Sequence, residues 1–175
     1  YFHVWNVKRL RPVDLGPFDY ENEVYTRSLW FAEGVTDYYG TIGVTRAGLS
    51  TPQEGLASLS ESIQNVQTSP GRLVQPVADA SFDAWIKYYR RNPNSANTTT
   101  SYYTKGTAIA FLLDAKIRQV TAGKRSLDDV MRVAYDRYSG DRGYTEDEIR
   151  RTISEVAGAD LSAWLGRAVD TAEEL

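Results

Sequence analysis

Apolar residues recur every third or fourth position along most of the chain, the spacing of amphipathic helices rather than of strands. From Tyr25 to about Ile42, Leu29, Trp30, Phe31 and Val35 sit among polar residues, and Gly40 and Gly43 loosen the end. Thr51, Pro52 and Glu54 make a helix start: a capping hydroxyl, a proline at the first helical position and a glutamate three residues on. Leu56, Leu59, Ile63 and Val66 then share one face, and Ser69-Pro70-Gly71 ends it. Residues 70–100 are mostly irregular, with a short helix around 81–89. The stretch from Tyr102 to Gly123 is the longest and most apolar helix expected, capped at Ser101 and buried on more than one side. Ser126, the Thr145–Glu148 box and Asp160 begin three shorter helices, with Gly158 closing the middle one. The first dozen residues read as the tail of a helix stopped by Pro12, and 13–24 as an ordered loop. No segment alternates with period two for long. The expected class is mainly α with little or no sheet, in one helical domain over residues 1–175 that ends in a linker-like "DTAEEL".

Composition narrows the function. The 175 residues are 42% hydrophobic and 25% charged, ordinary for a globular chain with a real core. A net charge of −3 gives no basic surface for nucleic acid. No stretch approaches the roughly 20 apolar residues of a membrane span, so no transmembrane role is expected. The absence of cysteine excludes disulfides and thiol catalysis. A serine nucleophile would have only His3 as its base, and there is no G-x-S-x-G elbow.

His3 is the single histidine. A His-Glu pair ahead of Tyr1 would make it the second histidine of an H-E-x-x-H helix, in which two histidines on one face bind zinc and the glutamate works on bound water. By itself a lone histidine is more often a surface or core residue. Glu33 lies among Leu29, Trp30 and Val35 and is either a solvated or salt-bridged carboxylate or a buried charge whose cost a bound cation removes. Asp37, one turn later, shares its face. It is placed either to accept a hydrogen bond from a ligating histidine or to stay a simple surface acid. Trp5 and Asn6 are expected to orient His3. Lys8, Arg9 and Arg11 have Asp19, Glu21 and Glu23 as available partners, and Gly106 allows a close backbone approach near Tyr103.

Three blocks in order, "YFHVWNVKRLRP", "FDYENEVYTRSLWFAEGVTDYY" and "SYYTKGTAIAFLLDAKIR", closely resemble the glycyl-aminopeptidase family of zinc metallopeptidases. The resemblance implies the helical half of a thermolysin-like catalytic domain, a fragment of a larger peptidase with a β-rich region upstream and in many members a PDZ domain downstream. It implies zinc as cofactor, held by His3 and Glu33 in a site incomplete in this chain. It implies Tyr103 as the oxyanion donor, with Tyr102 as the alternative, and Asp37 and Asn6 as supports around the metal. The first zinc histidine and the general-base glutamate would precede Tyr1, leaving the 175-residue chain inactive by itself. The implied substrates are peptides with small N-terminal residues, glycine above all. The competing reading is a non-catalytic helical binding module.

Overall fold

The computed structural model describes residues 1–174, and its regular elements are helices, with almost no strand. A 3-10 turn at Phe2–Val4 and another at Val13–Leu15 precede a π-helical turn, Trp30–Gly34, that runs straight into α1 (Val35–Arg46). Then follow α2 (Pro52–Thr68), α3 (Val77–Phe82), a second π-turn (Ala84–Tyr88), α4 (Ser95–Thr98), α5 (Thr104–Val120), α6 (Leu127–Tyr138), α7 (Glu146–Ala157) and α8 (Ser162–Asp170). Extended pairing among the described residues is limited to isolated bridges, Asn6 with Leu10, Leu10 with Ser139 and Pro12 with Tyr144.

The local start signals act as expected. Thr51 Oγ1 accepts from the Glu54 amide at 3.2 Å, while the Thr51 amide donates to Glu54 Oε2 at 2.7 Å. The same reciprocal box closes at Thr145 and Glu148, and Asp129 Oδ2 accepts from the Ser126 amide at 2.9 Å. Gly158 ends α7 in the left-handed conformation at φ 62°. Asp160 Oδ1 accepts the Ser162 amide at 2.8 Å, just ahead of α8.

The core forms around α5, which packs against α1, α2 and the first π-turn on one side and α6 and α7 on the other. Ile109, Leu113 and Ile117 of α5 are fully buried together with Trp30, Phe31, Val130 and Ile153. Asp114 ties the two sides. Its carboxylate accepts from Tyr38 OH at 2.9 Å, Arg118 Nε at 3.1 Å and the Leu127 amide at 2.7 Å. On α2, Leu59 is buried, Ile63 and Val66 are half-buried and Leu56 is exposed, so that helix lies at the edge of the core.

One expectation fails. No helical tail runs to Pro12. After the first 3-10 turn the chain folds back, with Val7 at φ 108° and its amide donating to the Leu10 carbonyl at 2.8 Å. The backbone then pairs with the 139–144 loop, where the Gly140 amide donates to Arg9 O at 2.8 Å and the Tyr144 amide to Arg11 O at 2.9 Å. This pairing draws Leu10 into the core at 1% exposure. Lys8 and Arg9 are exposed, the solvated face that is the default for such a basic run, and Arg11 is half-buried. Arg11 lies over the Phe18 ring at 4.9 Å and donates to Lys8 O at 2.9 Å.

Candidate metal centre and active site

His3 and Glu33, thirty residues apart, are brought face to face. His3 Nε2 stands 3.0 Å from Glu33 Oε2. The other ring nitrogen, Nδ1, is 3.0 Å from the Asn6 carbonyl oxygen. A carbonyl only accepts, so Nδ1 carries a proton and donates it. In the neutral ring, Nε2 then presents a lone pair to a carboxylate oxygen. Two acceptors at this distance need a proton or a cation between them. With zinc bonds of about 2.0–2.2 Å, donors on a tetrahedral ion stand roughly 3.3 Å apart, so the pair fits as two ligands of one metal.

Local structure aims the pair. Glu33 lies inside the π-helical turn, whose extra residue shifts its side chain out of regular helical register, as such turns do at functional sites. The Trp30 amide, at the start of that turn, donates to Ser81 Oγ at 3.0 Å. The Asn6 side chain is fully buried, and its amide nitrogen donates to the carbonyls of Phe31 and Ala32, each at 3.1 Å, and to Thr36 Oγ1 at 3.2 Å. Asn6 therefore supports the site twice: its main chain orients the His3 ring and its side chain binds the segment carrying Glu33. Trp5 does not share this task. It is largely exposed and tilts against Tyr135 at 5.6 Å.

Charge is concentrated here. Burial pushes the Glu33 carboxyl above the usual glutamate range, His3 opposes this, and Asp37 adds to it. Asp37, on the rim one turn later, is raised by lost hydration against the pull of His3. It makes no hydrogen bond to His3, whose two ring nitrogens face Asn6 and Glu33. Among the described residues no group of three His, Cys, Asp or Glu side chains gathers to hold a metal. The chain itself brings one histidine and one glutamate.

The two tyrosines separate clearly. Tyr102 is buried at 1% exposure, its ring 4.9 Å from that of Tyr88 and its hydroxyl 3.3 Å from that of Tyr89. Tyr103 is half-buried at the head of α5. Burial raises its hydroxyl pKa, Tyr89 adds to this, and so does the charge of Glu33, which places that phenol within the electrostatic reach of the candidate ligand. The approach depends on glycine. A Cβ at Gly34 would stand 2.4 Å from Gly106 Cα, so the π-turn and α5 cross backbone against backbone. Thr107 Oγ1 reaches Gly34 O across this crossing at 3.3 Å. Gly34 and Ser81 were not evident as parts of the site from sequence, and only the glycine beside Glu33 offered a signal.

The family model for the M61 glycyl aminopeptidases matches residues 1–109, a stretch holding His3, Glu33 and Tyr103 together. The chain belongs to the M61 glycyl aminopeptidase family. The crystal structure of an aminopeptidase N family protein from Idiomarina loihiensis is similar over 100% of this M61 chain, at 34% sequence identity and a TM-score of 0.95. The chain spans 30% of the length of that protein. Comparison with curated proteins returns no match. The M61 assignment and this similarity agree with the mainly helical, peptidase-type architecture expected from the sequence.

Proposed function

We propose that the complete protein is a zinc-dependent aminopeptidase, with His3 and Glu33 as two protein ligands of the metal. The observation that carries this reading is the 3.0 Å approach of His3 Nε2 to Glu33 Oε2, with Nδ1 committed to Asn6 O. Family membership and the similarity to an aminopeptidase N family structure support it. The first zinc histidine and the general-base glutamate would come from chain preceding Tyr1. Asp37 is then available for the ring N–H of that histidine, because the ring of His3 is held by Asn6.

Zinc held there supplies Lewis-acid chemistry, polarising a scissile carbonyl and acidifying a bound water. The chain's own residues do the rest. Asn6 keeps His3 in the tautomer that offers Nε2. Glu33 contributes negative charge from a half-dry position, where its attraction for a cation is stronger than in water. Tyr103 donates its hydroxyl proton in a hydrogen bond to the oxygen that gains charge as the carbonyl becomes tetrahedral. Its raised pKa keeps that proton on the phenol at working pH. Peptides with a small first residue, glycine in particular, are the proposed substrates.

Zinc content and hydrolysis of glycyl and leucyl anilides, measured on the complete protein, test this together. We expect zinc in the parent protein, its loss in His3→Ala and Glu33→Gln, and faster turnover of the glycyl substrate. Unchanged zinc in Glu33→Gln would remove that residue from the site. The alternative is a non-catalytic helical module. A complete protein without zinc or hydrolysis would establish it. The 175-residue chain by itself is expected to be inactive on either reading.

A further inference from the structure

A second concentration of charge lies on the opposite flank of α2 from the polar groove beside Asp37. Lys105, in the first turn of α5, is only 5% exposed, and among the described residues it has neither an acidic partner nor a side-chain hydrogen bond. Lysine is almost never buried in this way unless paired. Three effects act against its charge. It has lost most of its hydration, the Arg72 guanidinium repels it, and the positive end of the α5 dipole is beside it. The first two hold its pKa below the usual lysine value.

Lys105 lines a pocket of about 310 Å³ together with Arg72 and an aliphatic wall that includes Ile63, Val66 and Leu112. Residues 172–174 run along this pocket, and Arg72 Nη2 holds Glu174 Oε1 at 2.6 Å. A carboxylate thus already sits on one of the two cations, while the more deeply buried one has none among the described residues. An anion placed at Lys105 would offset all three penalties at once.

We propose that this pocket is a binding site for a small aliphatic carboxylate, with Lys105 receiving the anion and the Ile63, Val66 and Leu112 wall receiving the carbon chain. Arg72 forms its mouth, and Glu174 is the resident carboxylate there. The site is separate from the candidate metal centre and does not depend on the peptidase reading.

The probe is 4-methylpentanoate, titrated calorimetrically into the complete protein after metal removal, so that binding at the metal centre does not contribute. One-site binding is expected. It should weaken roughly thirtyfold in Lys105→Met, the scale for losing one partner of a buried charge pair. Glu174→Gln should bind several-fold more tightly, because Arg72 is released to join the ligand; weaker binding there would count against the site even if Lys105→Met failed to fold. The neutral 4-methylpentanamide should not bind. Equal binding of the amide, tighter binding of inorganic phosphate, unchanged affinity in Lys105→Met, or no binding by the parent protein would each overturn the proposal.

Discussion

Replacing Gly106 by alanine tests the backbone crossing that brings α5 to the π-turn. An alanine Cβ there would stand 2.6 Å from the Trp30 carbonyl oxygen and 2.9 Å from Gly34 Cα. Relaxed contacts of this kind lie at about 3.5–4.0 Å, so α5 would have to retreat by roughly 1 Å. Both obstacles are main-chain atoms, and no side-chain rotation relieves them. Alanine is worth about 1 kcal/mol over glycine in a helix interior. Overpacking at a tight site costs about 1–3 kcal/mol, and two sub-contact distances place this one near the top of that range. The net expectation is a loss of roughly 1–2 kcal/mol by urea denaturation of the chain. Tyr103 precedes Gly106 by one turn and moves with it. A shift of about 1 Å in a positioned group can lower turnover by roughly 10²-fold. Gly43→Ala in α1 is the control, because its Cβ would meet nothing within 4 Å, and it should stabilise by about 0.5–1 kcal/mol. If Gly106→Ala is stabilised as Gly43→Ala is, with turnover intact in the complete protein, the crossing does not hold the site together.

Tyr103→Phe should lower kcat by roughly 10²–10³-fold in the complete protein with zinc retained, while Tyr102→Phe changes it little; the reverse order would move the oxyanion role to Tyr102. Asp114→Ala strands the Tyr38 hydroxyl and the Leu127 amide, and should destabilise by about 3 kcal/mol or more in chemical denaturation. Arg142, first, and the Thr145 amide hold the Glu148 carboxyl down at about 2. Because that folded value lies below the ordinary 4.5, its stabilisation is present above about pH 4.5 and lost as pH falls toward 2. Glu148→Gln should therefore lower the urea midpoint at pH 7, with the difference from the parent closing by pH 2; a constant difference would refute the linkage.

What was legible in the sequence was what neighbouring residues decide. Thr51 with Glu54, Ser126 with Asp129 and Thr145 with Glu148 complete their hydrogen bonds within four residues, so their types alone mark helix starts. The run of apolar positions from 106 to 117 needed only its periodicity to announce the central helix. The course of residues 7–12 was hidden because its partners, Gly140 and Tyr144, lie some 130 residues away. The π-turn was hidden for another reason. Its residues keep an ordinary helical apolar pattern, and the extra residue is accommodated by Ser81 and by the glycine contact with α5. Burial of Glu33 among apolar neighbours was readable, but its facing His3 was not. That pairing came from the family resemblance alone until the geometry was seen. Tyr102 and Tyr103 are one residue apart at the head of α5, and what separates them, the burial of Tyr102 against the half-exposure of Tyr103, was not readable from the sequence.

If His3 and Glu33 hold zinc as proposed, the Asn6 stitch has a consequence for metal exchange. Its side chain fastens the His3 segment to the Glu33 segment through the Phe31 and Ala32 carbonyls, so the protein's own hydrogen bonds set the spacing of His3 and Glu33. Little chain ordering then remains to be driven by coordination, the reverse of a zinc finger, whose fold is made by its metal. On that reading, ions would enter, leave and replace one another on a standing frame. Loading is then set by how this rigid chelator equilibrates with the ions around it, so the supply of each metal matters as much as its intrinsic affinity.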